Sequence, residues 1–180
     1  VNHSVVVGID NGLSGGLVAL SSVAGCAPIW SWPMPIRVKT EPVGSPKKGK
    51  KKQTNEVNAD LVLSILESLH LDLRTDVLVV LEIPGKHSPG VHAIASMWES
   101  FGAIRGLCEA KGIQHVRIAP QTWQSKMIPK CKKGDTKPAA LLKAKEIWPN
   151  ETWLRTPRCS SPHDGMIDAA LIAEYARTHL

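Results

Sequence analysis

Residues 76–82, DVLVVLE, are an apolar run held between two acids and followed, after Ile83, by Pro84-Gly85. With no polar face to offer water, such a run reads as a buried central strand. A second run, VVVGID at 5–10, also closes on an acid, Asp10. Asp and Asn both favour tight turns, and Asn11-Gly12 alone would turn the chain into a hairpin. A further apolar stretch over 14–21 leaves through Gly15-Gly16. Asp10 is therefore one acid more than the turn needs.

The rest of the chain alternates. A third strand is expected near 27–33. Residues 37–53, rich in Pro, Gly and Lys, read as a mobile basic loop. A helix over 55–69 would place Val57, Leu61, Ile65 and Leu69 on one face, with Asn55 or Asn58 as its cap. A long helix over 90–111 should stop at Gly112, and IQHVRIA (113–119) reads as a fifth strand. Pro138 can open a helix that runs to about 148, and the last helix covers about 164–178. No internal repeat is visible. Three hairpin-type strands followed by alternating helix and strand predict an α/β fold. Its mixed five-stranded sheet, three antiparallel strands then parallel ones, would be flanked by helices. The ribonuclease H-like architecture has this order.

At 180 residues and 43% hydrophobic, the chain fits a single domain with an adequate core. Its apolar runs are too short to span a bilayer, and it carries no charged-then-apolar leader. Cys26, Cys108, Cys131 and Cys159 are widely spaced without a CxxC pair, which argues against structural zinc or a disulfide framework. A reducing, cytoplasmic compartment, bacterial or phage-encoded, is expected. An organellar location stays open, because the chain begins at Val1 rather than Met.

The net charge of +6 is concentrated in two places. Lys47, Lys48, Lys50, Lys51 and Lys52 form one cluster. Lys126, Lys130, Lys132, Lys133 and Lys137 form another, opposed only by Asp135. Setting both aside leaves 12 of the 22 basic residues against 15 of the 16 acidic ones, a net of −3. Two basic arms on a mildly acidic body favour a polyanion, and nucleic acid is the commonest.

Four acids stand where folding alone would not put them. Asp10 and Glu82 end apolar strands, and Asp168 interrupts the apolar run of HDGMIDAALIAEYA. Asp164 precedes Asp168 by four residues, on the same helical face. Each acid alone has a bland reading: Asp10 as a turn former, Glu82 as a strand end reaching water, Asp164 as an N-cap. Asp168 has none. Gathering like charges is costly unless a cation neutralises them. Mg²⁺ suits the task, being held by a few carboxylates while keeping several waters. If the strands ending in Asp10 and Glu82 are neighbours, the four acids can meet as a two-metal site for in-line attack on a phosphodiester.

Four motifs carry a resemblance over nearly the whole chain. They are GIDNGLSGG, VVLEIPG, KGDTKPAALLKA and HDGMIDAALIAEY. In order and spacing they resemble the RuvC-like Holliday junction resolvases, above all the phage and prophage branch and more distantly the chloroplast junction resolvases. The resemblance implies a homodimeric crossover junction endodeoxyribonuclease, dependent on Mg²⁺ with Mn²⁺ as a substitute, that nicks two opposed strands of branched DNA. No membrane and no small-molecule cofactor are expected. Asp10, Glu82, Asp164 and Asp168 take the places of the metal-binding acids, and Lys137 falls near the lysine that approaches the cleaved phosphate. Lys47, Lys48, Lys50, Lys51, Lys52, Lys86, His87, Lys126, Lys132 and Lys133 are the expected DNA contacts. Bacterial members space their last two ligands three apart rather than four, so His163 or Asp164 can hold the third place. Where those members carry a base-stacking aromatic, this chain has Pro84-Gly85-Lys86-His87.

Other residues speak more quietly. The 90–111 helix has an apolar face (Ile94, Met97, Trp98, Phe101, Ile104, Cys108) and a small-residue stripe (Gly102, Gly106, Ala110), which suits either ordinary packing or a dimer contact. Trp123, in a stretch read as a loop, is expected in the core before it is expected as a platform for bases. His115 is expected as a satisfied core histidine. Two rival functions remain: a basic nucleic-acid-binding protein without catalysis, and an actin-like nucleotide-binding fragment suggested by GIDNGLSGG.

Overall fold

The computed structural model describes residues 3–23, 25–39, 54–85, 90–132 and 134–180. The lysines at 47–52, most of the expected mobile loop, Lys86, His87 and Lys133 lie outside the described residues.

Strand β1 (Val5–Asp10) pairs antiparallel with β2 (Gly16–Ser21), and β2 pairs antiparallel with β3 (Trp30–Pro33). The chain then forms a small separate ribbon, β4 (Ile36–Val38) against β5 (Asn55–Val57). Helix α1 (Ala59–Glu67) leads to β6 (Val77–Glu82), α2 (Val91–Lys111) and β7 (Gln114–Ile118). Three helices complete the chain: α3 (Pro120–Met127), α4 (Thr136–Ile147) and α5 (Asp164–His179). The main sheet has the order β3-β2-β1-β6-β7, with β6 parallel to both β1 and β7. This is the mixed ribonuclease H-like sheet that the element order predicts.

The central strands are apolar on both sides because both faces are covered. Val6, Val18, Leu20 and Val80 pack beneath α3, α4 and α5, while Val7, Ile9, Leu17, Val79 and Leu81 pack against α1 and α2. Side chains alternate across a strand. Gly8 and Asp10 therefore share the α5 face with Val6, and Glu82 shares it with Val80. Among the described residues no helix is long and apolar enough to cross a membrane.

Several local expectations are corrected. Asn11-Gly12 does not make a two-residue hairpin. Asp10 pairs with Gly16, so the connection runs through residues 11–15, closed by the Gly15 N–H donating to the Gly12 carbonyl at 2.8 Å. Residues 36–38, in part assigned to the loop, and 55–57, assigned to the first helix, pair instead as β4 and β5. Arg37 ties this ribbon to Glu56 at 2.9 Å. Helix α1 starts later, with Asn58 Oδ1 accepting from the Leu61 N–H, and it buries Val62, Ile65 and Leu66 while Leu61 stays exposed. The stretch read as a loop around Trp123 is α3, with Pro120 at its first turn. Helix α4 opens at Thr136 rather than at Pro138. His115 is only half-buried, its Nδ1 within 3.2 Å of the Ile113 carbonyl. Helix α2 ends as expected, on Gly112 in the left-handed region at φ 68°.

Candidate active site at the carboxyl ends of β1 and β6

Strands β1 and β6 are adjacent and parallel, with Ile9 opposite Leu81. Asp10 and Glu82, one residue further on, thus leave neighbouring strand ends toward the same face. Helix α5 supplies the other two acids, and glycines let it come close. At Gly8 a Cβ would strike the Ala169 carbonyl oxygen and lie 2.6 Å from the Ala173 nitrogen. At Gly165 it would strike Gly15, to which Gly165 is bridged. Only bare backbone permits this approach. It lays α5 on β1 and β2, with Gly165–Ala176 buried except for half-buried Asp168.

The electrostatics follow from that packing. Burial, and then the charge of Asp10, push the Glu82 carboxyl up to about 8. Burial, then Asp10 and Asp164, push Asp168 up to about 7. Asp10 is also raised by burial, against the opposing effect of the Gly12 N–H, which donates to its Oδ1 at 3.1 Å. The turn reading of Asp10 is therefore true of one oxygen, and the other has no hydrogen-bond partner among the described residues. Lys137 reaches in from α4 and donates to Asp164 Oδ2 at 2.6 Å, a pair exposed to solvent. The cap of α5 is His163, not Asp164: its Nδ1 accepts from the Met166 N–H at 3.3 Å. Burial, then the charge of Arg155, lower the His163 pKa.

One partner was not foreseen. Trp123, 1% exposed, donates its indole N–H to Glu82 Oε1 at 2.8 Å. It is a core residue, as expected, yet it also orients a carboxylate 41 positions away in sequence. A short α3 with Trp123 and Met127 inward, four residues apart, was the available signal. Among the other expected contacts, Lys126 and Lys132 are exposed near α3 and the α3–α4 connection.

The donor chemistry fits a hard divalent cation. Asp10, Glu82 and Asp168 are hard oxygen donors that burial holds toward the neutral form, with like charge adding to it at Glu82 and Asp168, and a cation would reverse that balance. Asp10, Glu82 and Asp164 each keep one oxygen without a hydrogen bond among the described residues, and Asp168 keeps both. The shell is not closed, however. No three His, Cys, Asp or Glu side chains among the described residues converge as metal ligands. Glu82 accepts from Trp123 and Asp164 from Lys137 instead.

No protein family matches the chain at the level of sequence, and no curated protein does either. Solved structures do. The structure titled as Thermus thermophilus RuvC in complex with Holliday junction substrate superposes with a TM-score of 0.58 at 19% identity, covering 97% of this chain and 96% of that one. A second Thermus thermophilus RuvC structure gives 0.50 at 18% identity over the same shares. At this identity the likeness is one of fold, and it extends from end to end.

Proposed function

We propose that the protein is a structure-specific DNA endonuclease that resolves four-way junctions by metal-dependent phosphodiester hydrolysis. The observation that carries this reading is that Asp10 and Glu82 end neighbouring parallel strands beneath α5, near enough to Asp168 that like charge adds to burial in pushing Glu82 to about 8 and Asp168 to about 7. The end-to-end fold likeness to RuvC, solved in one case with a Holliday junction, supports the same substrate class.

Asp10, Glu82 and Asp168, with Asp164 or His163, would hold the Mg²⁺ ions, which supply water activation and stabilisation of the leaving oxygen. The chain's own residues do the rest. Trp123 fixes one oxygen of Glu82 and leaves the other without a hydrogen-bond partner among the described residues. Lys137, an exposed cation paired to Asp164, is placed to meet the phosphate and would release Asp164 as it does so. Lys126 and Lys132 extend positive charge from the site along the path of the strand. A homodimer supplies two such sites for opposed cuts. The exposed side of α2, where Trp98, Gly102, Arg105, Gly106 and Glu109 line a shallow hollow of about 380 Å³, is the face that a second copy would cover.

The test is incubation with a synthetic four-way junction, a Y-fork and plain duplex, with and without Mg²⁺. Paired nicks in the junction that require Mg²⁺ are expected. A second reading, a DNA-binding protein without catalysis, is favoured by the unclosed ligand shell. Tight junction binding with no cleavage in Mg²⁺ or Mn²⁺ would establish it instead.

A further inference from the structure

Between α4 and α5 the chain leaves the core at Trp153 and re-enters at His163. Trp153 is buried, packs edge-on to Trp148 at 5.5 Å between ring centroids, and takes a left-handed φ of 56°. A non-glycine residue holds that conformation only where its surroundings impose it. Its carbonyl accepts the His163 N–H at 2.7 Å, and Leu154 bridges Pro162. Residues 155–161 therefore stand out as a closed loop on a fixed base, braced within by the Cys159 N–H donating to the Thr156 carbonyl at 3.0 Å.

The loop carries a shallow, open hollow of about 380 Å³, lined by Arg155, Arg158, Cys159, Ser160, Ser161 and His163 among others. Arg155 and Arg158 are exposed, and among the described residues neither guanidinium meets a carboxylate or makes a hydrogen bond. Arg74 and Arg117 are likewise exposed without a carboxylate among the described residues, but they stand singly, whereas Arg155 and Arg158 lie three residues apart and line one hollow. Two planar guanidinium forks beside two hydroxyls make a receptor for an anion with several oxygens, and phosphate fits that description best. The position is informative as well. His163 lines the hollow, and the next residue is Asp164. A DNA strand crossing the acids is repelled by them, so cations at the rim must hold it.

We propose that the 155–161 loop is a phosphate clamp, in which Arg155 and Arg158 grip a backbone phosphate of the strand lying over the acid cluster. The clamp rests on the nuclease reading for the course of the strand, but its grip on DNA can be measured separately.

The experiment compares native protein with the Arg155→Gln/Arg158→Gln and Arg155→Lys/Arg158→Lys variants. Junction binding is followed over a salt series without divalent metal. Each lost phosphate contact lowers the slope of log K against log salt by about 0.9, so the glutamine variant should lose about 0.9 to 1.8. The lysine variant should retain the slope, which counts charges. Melting temperatures should match, because both side chains are exposed. An unchanged slope in the glutamine variant overturns the clamp, as does native protein that binds no junction DNA. If inorganic phosphate raises the native melting temperature in an arginine-dependent way while the slope stays unchanged, the hollow takes a small anion and not DNA. Native protein that binds but never cuts sinks the nuclease reading, and the slope still decides the clamp.

Discussion

Asp10 joins two tasks at one residue. Its Oδ1 accepts the Gly12 N–H, as a turn former would, while its charge raises both Glu82 and Asp168. Asp10→Asn keeps the shape and the turn bond but removes the charge. Cleavage of a labelled junction in Mg²⁺ should fall by several orders of magnitude, while junction binding persists or tightens. Melting temperature without metal should hold or rise, since a repelling carboxylate is gone. Native-rate cleavage by this variant would remove the metal site from the argument.

The raised acids also give the metal-free protein a defined pH response. Glu82 and Asp168 lie well above their ordinary values of 4.5 and 3.8, so the folded chain binds more protons than the unfolded chain between those values and about 8 and 7. Their contribution to stability is fully present below about pH 4 and is lost as pH rises through about 7 to 8. Thermal melts in chelator should show a fall attributable to this pair from pH 5 to pH 8. The fall should vanish in the Glu82→Gln/Asp168→Asn variant and shrink on adding Mg²⁺. A native curve identical to the variant's would contradict it.

At the scale of elements, the site depends on how closely α5 lies on β1. Gly8 faces the Ala169 carbonyl and the Ala173 nitrogen, which are backbone and cannot rotate aside. Gly8→Ala must lift the helix, at a cost of about 1–3 kcal/mol or more, read as a lower midpoint in urea. The same shift would carry Asp168 away from Asp10, so cleavage should fall further than stability alone explains. Helix α2 poses the opposite case. Nothing lies within 4 Å of a Cβ at Gly102 or Gly106, and Trp98 beside them is 45% exposed. Gly102→Leu should therefore fold normally as a monomer. If this face meets a second copy, light scattering will show the native protein at twice the mass of the variant. Equal masses would reassign the face.

For the whole molecule, the proposed resolution of a nearly two-fold junction by two opposed cuts calls for two sites related by symmetry, which a closed dimer would provide. Lys137 pairs with Asp164 at the acid cluster, and the exposed Lys126, Lys132, Arg155 and Arg158 contribute to the net charge of +6. Much of this plan was legible from residue order. VVVGID and DVLVVLE announce buried strands with acids at their ends, Gly112 announces the stop of α2, and the i, i+4 spacing sets Asp164 and Asp168 on one side of α5. These are local signals, since periodicity and capping act within a few residues along the chain. Other features needed partners far apart in sequence. The β4–β5 ribbon exists because residues 36–38 find 55–57, and a Pro, Gly and Lys composition hides that pairing. The Trp123 bond to Glu82 spans 41 positions, and α3 has too few apolar residues to display a period. The sequence by itself determined which residues are acids at strand ends and which segments are apolar enough to be buried. Only the tertiary structure decided that β1 lies beside β6, that Gly8 and Gly165 admit α5, and that Arg155 and Arg158 share a hollow with His163, because such contacts arise from the packing of whole elements rather than from neighbours along the chain.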